Sequence, residues 1–209
     1  MKVKLKENLD GEIEWRVAEM ALLKTNHKTT NISINRCETI LKYTVVAVYA
    51  LFEGFVVKAF KAYIQEINQL KLTKHEIQVN ILTEFMNQKY SLFQERNNID
   101  KKRELVLELE KYYDSQAIDL ECEIKTESNI NLKVLNKLLN TYKIIEIDDA
   151  TIASGLNKLL MFRNSIAHGE TGIKMNDELL RDHIACVTRA MDIIRDNMII
   201  SYKDKLYLR

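Results

Sequence analysis

From about Ile34 to about Leu70 the chain reads as one uninterrupted helical stretch, and its middle, Val45 to Val57, is apolar on nearly every face. A helix that is apolar all round has to be buried all round. The stretch therefore predicts the central helix of a bundle, with the rest of the chain wrapped about it. The sequence has no proline and only five glycines, so few hard stops interrupt long helices. That composition disfavours a strand-rich fold, and the expected fold class is all-α. A chain of 209 residues can bury a sizeable core as one domain. Residues 1–209 are read as one domain, with an inserted region at about 94–128. The most apolar run, Tyr43 to Phe52, is too short to span a bilayer and is followed at once by Glu53.

Other elements are placed around that helix. A first helix is expected from about Asp10 to Lys24, with Ile13, Val17 and Met20 on one side, and Thr25 to Asn35 reads as a polar loop. Thr73-Lys74-His75-Glu76 has the capping-box pattern and is expected to open a helix running to about Phe93. The charge-rich stretch Asp100 to Lys111 reads as an exposed helix. Ile118, Leu120, Cys122 and Ile124 then alternate with polar residues, the one strand-like signal in the chain, so a short extended segment is expected near 118–125. Leu132, Leu135, Leu138 and Leu139 mark a short helix entered through Asn129 or Asn131 as N-cap. The last helix, about Asp177 to Ile199, is the most regular. Leu180, Ile184, Val187, Met191, Ile194 and Met198 form the seam of a helix packed along its whole length.

Charge and cysteine usage narrow the function classes. Lysine plus arginine number 31 against 30 acids, so no global field draws the chain to nucleic acid, and any RNA contact must rest on a local patch. Cys37, Cys122 and Cys186 form no CxxC pair and read as free thiols of a reducing cytoplasm. The start, Met1 to Lys6, has no apolar stretch behind it and does not read as a signal peptide. A cytoplasmic protein without a membrane partner is the expectation. No Cys/His set has zinc spacing and no Gly-rich phosphate loop is present, so neither metal nor cofactor is expected.

The candidate chemistry lies in the octet Arg163-Asn164-Ser165-Ile166-Ala167-His168-Gly169-Glu170. It ends a helix expected over about Asp149 to Ala167, whose apolar residues recur at Ile152, Leu156, Leu159 and Leu160. The next position on that stripe is Arg163. At ~100° per residue it lies within roughly 60° of Leu156, Leu159 and Leu160. Burying an arginine alone there costs several kcal/mol, so it must be paired, or face an interface or cleft. Glu53, amid Phe52, Gly54, Phe55, Val56 and Val57, is the obvious acid for a purely structural pairing. His168 could likewise act only as a helix C-terminal cation, with Gly169 ending the helix.

The functional alternative needs the same two groups. In metal-free RNA cleavage the 2′-hydroxyl attacks the adjacent phosphate and the 5′-oxygen leaves. A base takes one proton, an acid supplies another, and histidine suits both tasks. A guanidinium can stabilise the charged phosphorane with paired hydrogen bonds. Five residues on an ideal helix put Arg163 and His168 roughly 140° apart, with Asn164 one turn before His168. One protomer offers one histidine for two proton transfers, and a second copy facing the first would supply the other. Glu170 is the only carboxylate in the octet, too few to hold a catalytic magnesium unaided. Among other residues, His27 lies in a polar loop and His75 in the capping box, and His183 either borders the cleft or packs. Lys101-Lys102-Arg103 reads as a solvated face, with RNA contact the lesser alternative, and Tyr112 and Tyr113 as helix packing, with stacking on unpaired bases the lesser alternative.

The run Leu159 to Glu170 resembles the Arg-polar-x3-His signature of the HEPN superfamily. Three further segments resemble its bacterial stand-alone, MAE-like or RiboL-PSP type. These are Glu14-Trp15-Arg16 with Glu19 and Leu22-Leu23, Tyr49 to Phe55, with Phe52 where tryptophan is usual, and Thr126 to Ile130 followed by Val134-Leu135. They keep their order and span most of the chain. The resemblance implies a helical bundle that dimerises so that two motifs share a cleft, and a metal-independent endoribonuclease of a toxin–antitoxin or antiphage system. It implies that Arg163 and His168 are catalytic and that Asn164 orients them, with Glu53 and Trp15 structural. RNA, a second copy of the chain, and an antitoxin or defence-system protein are the implied partners. Some HEPN toxins carry a tyrosine two residues after the motif histidine, the target of a silencing nucleotidyltransferase. Glu170 stands there, so the resemblance does not extend to that control. The alternative is a HEPN module kept as a non-catalytic binding or dimerising adaptor.

Overall fold

A computed structural model of the chain describes residues 2–28, 33–94, 99, 102–103, 106–107, 110, 117–122, 124, 129–170 and 172–209. The fold is a helical bundle: α1 (Lys2–Leu23), α2 (Ile34–Gln69), α3 (Val79–Gln94), α4 (Leu132–Thr141), α5 (Ala150–Ala167) and α6 (Asp177–Lys203). The central helix is α2, which packs on α1, α5 and α6. Val45, Val48, Phe52, Phe55, Val56 and Phe60 along it are fully buried. Side chains of this kind each contribute about 1.5–3 kcal/mol by leaving water. Among the described residues α2 is also the one helix long and apolar enough to cross a membrane, and 44 % of its most apolar stretch is buried inside the bundle. That stretch is longer than the run Tyr43 to Phe52 taken from the sequence, and its place at the bundle centre accounts for it.

The last two helices form as the sequence predicts, and α6 runs four residues further. Asp149 and Asn176 are their N-caps, Asn176 accepting from the Leu179 amide at 2.8 Å. On α6, Leu180, Val187, Met191, Ile194 and Met198 are buried and Ile184 half-buried. The α5–α6 crossing is tight because Gly155 has no side chain: a Cβ there would lie 2.3 Å from Cys186 Sγ. Asn131 caps α4, its side chain accepting from Val134 N at 3.0 Å.

Four expectations need correction. The first helix starts at Lys2, not near Asp10. On it Val17 is exposed, and the buried seam runs Leu5, Leu9, Ile13, Arg16, Met20. Thr73 to Glu76 makes the capping-box bond, Thr73 N donating to Glu76 Oε2 at 2.8 Å, yet it closes a turn rather than opening a helix. Thr73 instead bridges Ala117, Ile77 bridges Leu208, and α3 starts only at Val79. Near 118–125 Ile118, Leu120 and Ile124 do face inward, but no strand forms among the described residues. Side-chain amides stand in for a neighbouring strand: Asn68 exchanges bonds of 2.8 and 3.0 Å with the Leu120 backbone, and Gln88 bonds the Glu121 backbone. In the charge-rich stretch, Lys102, Arg103, Val106, Leu107 and Glu110 are helical, and all but half-buried Lys102 are exposed. Lys101, Tyr112, Tyr113 and Thr126 to Ser128 lie outside the described residues.

Candidate functional site

The motif helix is fixed at both ends. At its start Asp149 accepts from the Thr151 and Ile152 amides at 2.9 and 3.1 Å. The Ile152 amide, then the Thr151 amide and Arg189, hold the carboxyl below its usual range against the cost of desolvation. At its end Gly169 takes φ +72°. Gly169 N donates to Ile166 O at 3.1 Å and Glu170 N to Ser165 O at 3.0 Å. These are the paired bonds of a Schellman turn, which satisfies the last carbonyls and requires the left-handed residue that glycine supplies. His168 is the C-cap and its side chain is exposed.

Arg163 continues the stripe of Leu156 and Leu159, both buried, and is itself half-buried. Its guanidinium lies over the Tyr49 ring on α2, 5.2 Å from the centroid, a cation–π contact that offsets part of the desolvation. Its Nη1 donates to Asn164 Oδ1 at 2.8 Å. Among the described residues no ion pair links it to Glu53 or to another carboxylate. One of its five N–H donors is thus spoken for, and the fork keeps capacity for an anion.

Asn164 and Tyr49 tie this arginine to the segment that leads into α4. Asn164 Nδ2 donates to Asn129 Oδ1 at 3.3 Å, and the Ile130 amide donates to the Tyr49 hydroxyl at 2.7 Å. Burial raises the Tyr49 hydroxyl above its ordinary value. The Ile130 amide and Arg163 oppose that, while Glu53 adds to it. The structure therefore joins Arg163 and Asn164 in one network with Tyr49 and Asn129. Among the described residues no side-chain hydrogen bond joins the His168 imidazole to Arg163 or Asn164.

Sequence reasoning did not single out the roles of Tyr49 and Arg16. Arg16 is only 3 % exposed. It donates from Nε to Leu51 O at 2.9 Å and from Nη1 to Glu12 O at 2.8 Å, and pairs with the Glu12 carboxylate. Gly54 on α2 lies beside its Nη2, and a Cβ there would make ordinary van der Waals contact at 3.4 Å. Trp15 is 49 % exposed and lies against Arg16, 4.2 Å from ring centroid to guanidinium carbon. The signal for Arg16 was available: it occupies an apolar seam at spacings of three and four, as Arg163 does.

The other singled-out histidines are placed as follows. His75 is exposed. His27 is buried, with Nε2 3.1 Å from Asp177 Oδ1 at the start of α6, so it ties the α1–α2 connection to the bundle. His183 is buried edge-on to Phe162, with ring centroids 5.5 Å apart, and burial lowers its pKa below the ordinary 6.5. It packs behind the motif helix. Among the described residues no group of three or more His, Cys, Asp or Glu side chains is arranged to hold a metal ion.

A family model described as RiboL-PSP-HEPN matches residues 12–199. This chain belongs to the RiboL-PSP-HEPN family. Neither a curated protein nor a solved structure matches it. The HEPN match takes in Arg16, Tyr49, Asn129 and the whole octet, so the network lies within the family's own span. The HEPN superfamily includes ribonucleases.

Proposed function

We propose that this HEPN protein is a metal-independent endoribonuclease acting as a toxin or antiphage-defence effector, with Arg163, Asn164 and His168 as its catalytic set. The observation that carries the reading is the state of Arg163. It is half-buried, held by Asn164 and Tyr49, and joined to no carboxylate by an ion pair among the described residues. A guanidinium kept in place for structure alone is normally neutralised, and a phosphate would supply the missing charge. Asn164 orients the fork, and Asn129 in turn orients Asn164. The exposed imidazole of His168 supplies proton transfer.

The one motif histidine of each chain serves one of the two transfers, so the active form is a two-fold homodimer with two motifs in one cleft. Met161, exposed two residues before Arg163, adds apolar surface beside the motif for a second copy to cover. That no hydrogen bond among the described residues joins His168 to the Arg163–Asn164 network favours a second reading, a HEPN adaptor without catalysis. Induced expression in bacteria distinguishes the two. The wild-type chain should slow growth and His168→Ala should restore it. Equal growth with either version would favour the adaptor.

A further inference from the structure

A groove of ≈ 630 Å³ lies between α3 and α4, away from the hydrophobic core. From α3 it is lined by Asn80, Thr83, Glu84 and Asn87, from α4 chiefly by Lys133, Asn136, Lys137 and Asn140, and at one end by Thr141 and the Glu146 carboxylate. Both sets have the spacing i, i+3, i+4, i+7, so each helix turns one continuous polar stripe to the same space. Asparagine and threonine rank low as helix formers, and a face that met only water would be better built from glutamate, lysine and glutamine. The helices meet at one end, where Asn80 Nδ2 donates to Asn140 O at 3.1 Å and to its Oδ1 at 2.8 Å. Asn140 donates in turn to Glu146 Oε1 at 2.6 Å. Away from that junction, Asn87, Lys133 and Lys137 make no side-chain bond among the described residues.

At the groove's other end, Lys133 stands four residues after Asn129, whose side chain bonds the motif's Asn164. Lys133 lies in the first turn of α4, whose cap is Asn131. From Lys133 to Asn140 the groove wall extends roughly 10 Å along α4. We infer that this groove takes up the stretch of single-stranded RNA adjoining the bond to be cut. Lys133 and Lys137, one turn apart, face successive phosphates. The Asn87 amide and the Glu84 carboxylate accept from the amino groups of base edges, as these side chains do elsewhere. The volume is that of a small-ligand site, room for a nucleotide or two and too little for a duplex. The inference rests on the ribonuclease reading for its choice of RNA.

The test uses the full chain carrying His168→Ala, so that RNA is bound and left uncut. Fluorescence anisotropy with a labelled single-stranded RNA is followed across a salt series, with and without Lys133→Glu plus Lys137→Glu. Both lysines are exposed, so the charge reversals should leave the melting curve in place. They should weaken binding by on the order of tenfold or more and reduce the log–log salt slope by about 1.4, the value for two phosphates of a single strand. Unchanged affinity and slope would overturn the groove while leaving RNA cleavage by the wild-type chain intact as a separate result. Lysine-dependent binding of an RNA that the wild-type chain does not cut would support the groove and count against the nuclease. Loss of a bound protein partner on the same reversals, with RNA binding unchanged, would also overturn it.

Discussion

Replacing Tyr49 by phenylalanine separates the two things that this side chain does. The ring, 1 % exposed, stays beneath Arg163, so the cation–π contact survives. The hydroxyl that accepts from Ile130 N at 2.7 Å is lost. Ile130 is fully buried, and an orphaned donor in such a place costs about 1–3 kcal/mol. For a chain of this size each kcal/mol moves the melting temperature by roughly 2–4 °C. Tyr49→Phe should therefore melt about 2–12 °C below the wild type. Circular dichroism at a fixed protein concentration measures this, since the proposed dimer would make the midpoint depend on concentration. Tyr49→Leu removes the ring as well and should lose a further ~0.5–2 kcal/mol through Arg163. An unchanged or raised melting temperature for Tyr49→Phe would refute the claim that this hydroxyl anchors the segment leading into α4.

Three further outcomes are expected. Gly155→Ala drives a methyl group into Cys186 and should cost about 1–3 kcal/mol. Cys186→Ala in the same chain should recover most of it in urea unfolding, where additive losses would count against the contact. His183 is kept neutral by burial, so its folded pKa lies below the unfolded 6.5. Its stabilising share is whole above pH 6.5 and is lost as pH falls through the folded value, because the unfolded chain then binds the extra proton. The stability difference between wild type and His183→Leu should accordingly shift against the wild type from pH 7 to pH 5, and a constant difference would contradict the burial argument. Arg163→Lys should lose most RNA cleavage in a gel assay, since a point charge does not replace the planar fork held by Asn164.

The helices that carry the motif were legible because one periodicity governs each of them. Asp149, Asn176 and Asn131 all accept from the helix they precede. The failures came where a local signal served a different partner. Thr73 and Glu76 bond as a capping box, but Thr73 also pairs with Ala117, and the turn ends there. The alternation at Ile118 to Ile124 reports burial correctly, while the expected ladder is supplied by Asn68 and Gln88, side chains distant in sequence. At the site, Arg163 betrayed itself by interrupting an apolar stripe. Tyr49 gave no such sign, because a tyrosine within an apolar helix reads as core until the chain brings Arg163 over its ring and the Ile130 amide to its hydroxyl.

The most direct test of the central claim is the chemistry of the RNA ends. Purified protein is incubated with single-stranded RNA and with the matching DNA in the presence of EDTA, beside His168→Ala. Attack by the 2′-hydroxyl requires RNA, so the RNA should be cut and the DNA spared. The products should carry a 2′,3′-cyclic phosphate and a 5′-hydroxyl, and His168→Ala should slow cleavage by on the order of 10²–10⁴. Cleavage that stops in EDTA and leaves 5′-phosphates, or that continues unchanged without His168, would contradict the account.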